Sequence, residues 1–369
     1  MNAYSHCFAL LLIVFIGTRD VCAQSSFLDE LRISTRTDQS GFASLQPELP
    51  LVSSPATVEG FCEESRSHQS ELDDATVCAG FESDCESDPG CAPDFDCMPS
   101  SDTCDASLIR YRTTCFQGAQ AAYGVIPEGN SDGLGIQTLD LFGTFAIPLG
   151  SMDHVVSFTP FFRQDALNAS ASLDVPDALY EAGVKSFWKK VVNERLTTMV
   201  LFTPSVRSDY HSSQDAFKLF GMGLLQWRLK PDKLSMTGGA IYTGRQDYPV
   251  LPTMGLYWTP SPVWKLDIQF PSPRIARRLL KDGDQSETWG YLSGVFGGNT
   301  WAVKRANGED DQLTLRDLRL VFGVEHLLRE NRGLFVETGL VLSRSMEYES
   351  TPGQIDFADA VLVRAGIQF

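Results

Sequence analysis

Two scarcities narrow the field at once. After its N-terminus the 369-residue chain has no run near the roughly 18 to 20 apolar residues that a membrane-spanning helix needs, although 43% of its residues are hydrophobic. If it sits in a membrane, it does so as strands. Basic residues are also few: 30 Lys and Arg stand against 47 Asp and Glu, a formal net charge of -17. That balance argues against a nucleic-acid partner, which requires a basic footprint to displace counterions from phosphates. Histidine is rarer still, with only His154, His211 and His326 after residue 107. No CxxC pair accompanied by His is present for zinc, and no acidic run has the spacing of an EF-hand loop.

The N-terminal third divides into three segments. Residues 1–23 read as a secretory signal, with the apolar core Phe8 to Gly17 and small-residue positions at Val21 and Ala23. Arg19-Asp20-Val21 ahead of Cys22 lacks the small residue of a lipidation site. Residues 24–60 are rich in Ser, Thr, Pro and Gln without periodicity, the composition of a solvated linker. Residues 61–106 hold Cys62, Cys78, Cys85, Cys91, Cys97 and Cys104 among thirteen acids opposed only by Arg66. A segment with so little apolar material cannot build a core, and six cysteines in an exported protein imply disulfides whose pairing the spacing leaves open. Cys115 is left over, either a partner for that cluster or a free thiol. The clustered carboxylates also raise calcium, but without an EF-hand register the expectation is a stapled, solvated extension and no metal.

From residue 107 the texture becomes a two-residue alternation, the signature of strands with one apolar side. Val156, Phe158 and Phe162 oppose Ser157, Thr159 and Arg163; Val200, Phe202 and Val206 oppose Thr197, Thr203 and Arg207. Leu318, Leu320, Phe322 and Val324 alternate with Asp317, Arg319 and Glu325. No helical stretch of comparable length intervenes. Segments near 134, 154, 179, 195, 216, 233, 250, 264, 288, 312, 332 and 357 give about twelve strands, with ten or fourteen as alternatives and Arg112 to Val125 as a possible thirteenth. The fold expected is therefore all-β, an antiparallel up-and-down transmembrane β-barrel over residues 107–369. Phe145, Tyr210, Trp227, Tyr242, Tyr257, Trp258, Trp264, Trp289, Tyr348 and Phe369 gather toward strand ends, as interfacial girdles do.

The last thirteen residues, FADAVLVRAGIQF, carry the pattern to its end: Val361, Val363, Ile367 and Phe369 share one parity, and Arg364 lies on the other. This tail resembles the C-terminal strand of bacterial outer-membrane barrels, with Phe369 and Ile367 as the barrel signal. Together with Ile268 to Leu280 (IQFPSPRIARRLL), Leu315 to Glu325 (LRDLRLVFGVE) and Phe335 to Arg344 (FVETGLVLSR), it makes residues 107–369 similar to an uncharacterised outer-membrane β-barrel family of unknown function. The resemblance implies a barrel and an outer-membrane address after Sec-type export, with lipid and the barrel-insertion machinery as partners. It implies no cofactor, and it does not cover the acidic cysteine segment.

Chemistry could reside on the polar parity. Asp317, Arg319, Glu325, Glu337 and Arg364 are expected to face the lumen on neighbouring strands, as salt-bridged filling or as a selectivity ring. Arg344 falls on the other parity near a strand end, which suggests an interface. Arg274, Arg277 and Arg278 form a second basic cluster, read as a solvated strand end or an anion site. His211-Ser212-Ser213 has turn composition, and with no other nucleophile–base pairing in sight no enzyme is expected. The function expected is a narrow or filled channel, or a structural or binding element of the outer membrane. The competing reading is a soluble, lipocalin-like exported barrel around an apolar ligand, and the two differ in which parity faces inward.

Overall fold

A computed structural model describes residues 108–129, 133–170, 173–231, 233–243, 249–351 and 353–369. The expected signal sequence, linker, acidic extension and its six cysteines fall on residues 1–107, outside the described residues. Cys115 is in a disulfide, and the other eight cysteines all precede residue 108.

Every regular element among the described residues is a strand. In chain order they are β1 (Phe116–Ile126), β2 (Leu134–Ser151), β3 (His154–Ala169), β4 (Ala178–Val191), β5 (Leu196–Ser208), β6 (Phe217–Lys230), β7 (Leu234–Tyr242) and β8 (Val250–Ser261). There follow β9 (Trp264–Gln269), β10 (Arg274–Asp282), β11 (Ser286–Gly297), β12 (Thr300–Lys304), β13 (Asp310–Leu328), β14 (Arg332–Tyr348), β15 (Gln354–Phe357) and β16 (Ala360–Gln368). Each strand from β1 to β11 pairs antiparallel with the next; β11 then pairs with β13, β13 with β14, β14 with β16, and β16 returns to β1. The sheet closes on itself through fourteen strands, leaving β12 and β15 as short side pieces on β13 and β14. Closure leaves no unpaired edge on those fourteen.

The count differs from twelve for an identifiable reason. β1 is the segment anticipated as a thirteenth strand, and β10 is the one the alternation hides. Its sequence RIARRLLKD places Arg277 and Arg278 side by side, and Pro271 and Pro273 ahead of it read as a long turn. It is a full ring strand paired to both β9 and β11, not a solvated strand end.

The two ends of the ring differ. Connections of two to four residues join β2–β3, β4–β5, β6–β7, β8–β9, β10–β11 and β13–β14, while seven or eight residues join β1–β2, β3–β4, β5–β6 and β7–β8 at the other end. The longest strands come in two neighbouring pairs, β2 with β3 and β13 with β14, at 18, 16, 19 and 17 residues against 6 and 9 for β9 and β10. β13 and β14 run past their ring neighbours at the long-loop end, because β11 pairs with β13 only as far as Asp317 and β16 with β14 only as far as Val341.

Polarity is inverted relative to a water-soluble protein. Phe202, Leu225, Trp227, Phe322, Val336, Val361, Val363 and Ile367 lie exposed on the outside, while Arg163, Asp165, Glu181, Arg319, Glu337 and Arg364 are buried inside. The lipocalin-like alternative required the apolar parity to face inward, and the structure has it outward. β16 is held on both sides: Glu337 of β14 is opposite Arg364, Gly124 of β1 is opposite the same residue, and Phe369 exchanges two backbone hydrogen bonds with Ala119 at 2.8 and 2.9 Å.

Parity breaks once within β14. Arg316 pairs with Ser345 but Leu318 with Leu342, so the β14 side gains a residue, and Ser343 takes a positive φ of 51°. A bulge of this kind shifts every later side chain to the other face. Odd positions such as Phe335, Glu337 and Val341 point inward before it, and Arg344, Met346 and Tyr348 do so after it. Arg344 is therefore not at an interface; it is buried inside, donating to the carbonyl oxygens of Leu134 and of Ala358, the latter at 3.3 Å.

Candidate functional site in the interior of the ring

One wall of the interior is a continuous belt of charged contacts. Starting on β3, the Arg163 guanidinium donates to Asp165 at 2.8 Å and lies 3.9 Å from Asp140 of β2. Asp140 accepts from Arg364 of β16 at 3.1 Å, and Arg364 also reaches Glu337 of β14 at 3.3 Å. Glu337 accepts the hydroxyl proton of Tyr291 on β11, whose ring lies 3.9 Å beneath the Arg274 guanidinium of β10; Arg274 in turn meets Glu325 at 3.0 Å. Charge alternates along the belt, so each buried ion meets a partner of opposite sign or a hydrogen-bonding hydroxyl, which makes their burial tolerable.

The belt crosses a strand over a glycine. Tyr291 stands opposite Gly323, and Gly323 stands opposite Glu337. The tyrosine passes over β13 to reach the acid on β14, and a Cβ on Gly323 would come within 2.2 Å of the Tyr291 ring. Only a residue without a side chain leaves that path open.

The expected five-residue network thus falls into two contacts of this belt and one pair outside it. Glu337 and Arg364 bond to each other, Glu325 pairs with Arg274, and Asp317 and Arg319 form a bidentate pair at 2.6 and 2.8 Å on their own strand. Sequence reasoning missed the members from the other strands, Asp140, Arg163, Asp165, Arg274 and Tyr291. The last of these has an aromatic's appearance and a polar role. A further cluster lies nearer the short-turn end, where Glu287 accepts from Arg110 at 2.6 Å, from the Trp289 indole at 2.9 Å and from Arg278 at 3.4 Å. Arg274 and Arg278 are thus salt-bridged inside, and Arg277 lies over the Trp264 ring at 5.5 Å.

Across the long-loop mouth runs β12. The chain leaves the end of β11 at Gly297, and Gly298 adopts φ +87° with its Cα pressed so close to β13 that a Cβ would sit 2.0 Å from the Leu315 carbonyl oxygen. That turn drives residues 300–304 inward. Ala302 pairs in parallel with Ser208 of β5 and accepts from the Asp209 amide at 3.1 Å, while the Lys304 amide donates to the Asp209 carboxylate at 2.8 Å. β5 is seven strands from β13 in either direction around the ring, so β12 bridges opposite walls. Trp301, Ala302 and Val303 are almost fully buried, and Trp301 and Val303 join an apolar cluster with Leu179, Leu313, Val341 and Met346. Beside it, Glu181 of β4 accepts from Arg207 at 2.8 Å and from Asn299 at 3.3 Å.

A clasp secures the strap at its far end. Arg305 donates to Asp174 at 2.7 Å and to Asp311 at 2.9 Å, with its guanidinium 3.7 Å over the Tyr348 ring; the Ala306 amide donates to Asp174 at 3.0 Å. The hydrogen bond from Arg305 holds the Asp174 carboxyl below the usual carboxylate range.

The wall from β4 to β7 is different in kind. Phe187, Met199, Leu201, Phe220, Met222, Leu224 and Ile241 form a buried apolar cluster facing inward. Phe220, Met222 and Leu224 sit on the parity opposite the exposed Phe217, Leu225 and Trp227, so β6 is apolar on both faces. Alternation cannot disclose such a strand.

The remaining expectations are placed as follows. Trp227, Trp258, Trp264 and Phe369 are outward and exposed, whereas Trp289 and Tyr348 are buried inside and the Tyr257 hydroxyl is buried as well; those three are not girdle residues. His211 and Ser212 do not form a nucleophile–base pair: the ring Nδ1 of His211 lies 3.1 Å from the Asp209 carbonyl, and the Ser212 hydroxyl is buried with no hydrogen-bond partner among the described residues. Among the described residues no group of His, Cys, Asp and Glu is arranged to hold a metal ion.

No family model matches the chain and no curated protein matches it, so the expected family is not shown. Among solved structures the chain is similar to the translocator domain of the autotransporter NalP from Neisseria meningitidis, at 12% identity over 68% of this chain and 86% of that one, with a TM-score of 0.30. A mutant of the monoaromatic hydrocarbon channel TodX matches at 10% identity over 68% and 88%, with a TM-score of 0.30. The siderophore receptor PirA from Pseudomonas aeruginosa matches at 12% identity over 68% and 79%, with a TM-score of 0.21.

Proposed function

We propose that this chain is an integral outer-membrane β-barrel, non-enzymatic, whose lumen is closed at the long-loop mouth, so that it serves as a narrow or filled channel or as a binding element. The observation that carries the reading is the inverted polarity: an apolar outer surface on a closed sheet, around a charged interior. Water would penalise that exterior, and a bilayer welcomes it. Short turns at one end and long connections at the other agree with strands inserted from the periplasmic side, and β16, bonded on both edges, suits recognition by the insertion machinery. Lipid is the partner of the outer surface; nucleic acid is not a partner. Export by a Sec-type signal belongs to the same proposal.

Planar-bilayer conductance tests it. The folded full chain is expected to give little or no conductance, and a variant in which residues 298–309 are replaced by a short turn is expected to conduct. Open-porin currents from the unaltered chain would refute the closed mouth. Recovery of the chain from the soluble periplasm, without a heat-modifiable gel shift in detergent, would refute the membrane assignment.

A further inference from the structure

The β12 strap crosses the long-loop mouth, and the residues ahead of β1 enter the other one. Arg110 reaches Glu287, an inward residue of β11, at 2.6 Å, while Tyr111 packs against Ala146 of β2 and Val155 of β3, both inward and at most 4% exposed. β2 and β3 lie five and six strands from β11 around the ring. Two residues adjacent in the chain therefore touch inner walls that are far apart, which places them inside the ring and not on its rim. Their level is fixed as well. The Ile109 carbonyl accepts from the Glu330 amide at 2.9 Å, and the Arg112 guanidinium donates to the Glu330 carbonyl at 3.2 Å; Glu330 belongs to the short turn between β13 and β14. Cys115 ends the crossing, its carbonyl accepting from the Ala146 amide at 2.8 Å.

Backbone inside a barrel needs partners for its polar groups, and one side chain supplies several. Gln117, at 0% exposure, accepts from the Arg112 amide at 3.2 Å and donates to the carbonyls of Arg112, at 3.1 Å, and of Thr114. The segment is thus folded in place and is not a tail that merely passes. Its hold on the wall is of another kind. Glu287 Oε2 accepts from both Arg110 and the Trp289 indole, and Oε1 accepts from Arg278 at 3.4 Å. If Arg110 leaves, the buried carboxylate keeps two donors, so this contact can break without the unpaired buried charge that makes the belt costly to disrupt. We infer that residues 108–114 are a plug in the short-turn mouth, an autoinhibitory segment latched by Arg110 on Glu287 and able to leave without unfolding the wall. Every partner named for it lies on the arc from β11 through β16 and β1 to β3. The plug therefore narrows this mouth and leaves its β4–β10 side, so that removing the strap alone still opens a path. The inference rests on the membrane-barrel reading and adds a second closure to it.

Two measurements on the folded full chain test it, with the heat-modifiable gel shift as the control for folding. Hydrogen exchange of the Glu330 amide reports docking, because its acceptor is Ile109 of the plug. Arg110→Met should speed that exchange by about tenfold, the factor carried by a charged hydrogen bond. Arg316→Met, in the Arg316–Glu347 pair at the other end of the ring, should leave it unchanged. Planar-bilayer conductance reports occlusion. Where residues 298–309 are already replaced by a short turn, exchanging residues 108–114 for a glycine–serine stretch of equal length should raise conductance by about twofold or more, since the narrowest constriction governs a pore. Glu330 exchange indifferent to Arg110→Met overturns the inference, and so does equal conductance with and without residues 108–114. If the glycine–serine chain loses the gel shift, Arg110→Met in the strap-free background takes its place, and unchanged conductance there overturns the inference equally. The closed long-loop mouth fails separately, through open-porin currents from the chain with its strap and plug both intact.

Discussion

Two walls of one interior solve burial in opposite ways. From β3 across β2, β16, β14 and β11 to β10, charged side chains bond one another in a belt in which Arg364 serves both Asp140 and Glu337. From β4 to β7 an apolar cluster of seven side chains occupies the interior, beside the buried Glu181–Arg207 pair, Lys185 and Lys189. The belt wall consists of interlocked ions whose removal is costly one at a time. The apolar cluster has no such specificity to lose, and its members bury one another. The difference implies a division of labour: the belt fixes the strands around β1 and β16 where the ring closes, and the apolar cluster fills the interior between β4 and β7.

Breaking the belt should be the largest effect. Arg364→Met removes the one guanidinium that bonds both Asp140 and Glu337, and removing one side of a buried ion pair costs about 3–5 kcal/mol; Glu337→Gln leaves Arg364 its Asp140 contact and should cost less. The heat-modifiable transition should fall accordingly, and the double variant Arg364→Met with Glu337→Leu should regain much of the loss. If the single variants melt like the unaltered chain, the belt does not hold the ring. On the other wall, Met222→Ala should cost about 2 kcal/mol, the lower end for a buried methionine truncation, and no second substitution across the ring should restore it. Equal losses on both walls, each rescued by a partner, would erase the distinction.

The smallest effect concerns the clasp over the strap. Because the Arg305 hydrogen bond lowers the Asp174 carboxyl in the folded state, its contribution is intact above the ordinary aspartate value of about 3.9. It disappears as pH falls through the lowered one. Protection of the Ala306 amide, corrected for the intrinsic pH dependence of exchange, should therefore be unchanged from neutral pH to about 4 and decline below it. In Asp174→Asn it should already be reduced at neutral pH. Protection that persists in the variant would show that the clasp does not depend on this carboxylate.

Much of the fold is legible in the alternation, because an apolar exterior and a polar interior impose the same two-residue period as any half-buried strand. Leu318 to Glu325 and Val361 to Phe369 could be assigned faces from the residues alone. The rest is hidden for physical reasons that differ from place to place. β10 puts two arginines in sequence, one salt-bridged inside and one lying on Trp264. β6 is apolar on both sides. Ser343 inserts a bulge that no composition announces and that turns Arg344 inward. Of the interior, alternation marked Asp317, Arg319, Glu325, Glu337 and Arg364 as inward, yet most of their partners are set by register between strands, as with Glu325 and Arg274 or, more than two hundred residues apart, Asp140 and Arg364. Nor could the parity rule foresee β12, because a strand that leaves the wall at Gly298 obeys the packing of the opposite side.

The central claim is the inversion of polarity, and lipid-bound quenchers test it most directly. Trp227 is half exposed on the outside, and Trp289 is 2% exposed inside beside Glu287. In vesicles containing brominated phosphatidylcholine, a variant that keeps only Trp227 should lose much of its fluorescence, and one that keeps only Trp289 should be little affected. Strong quenching of Trp289 with Trp227 left bright would contradict the account.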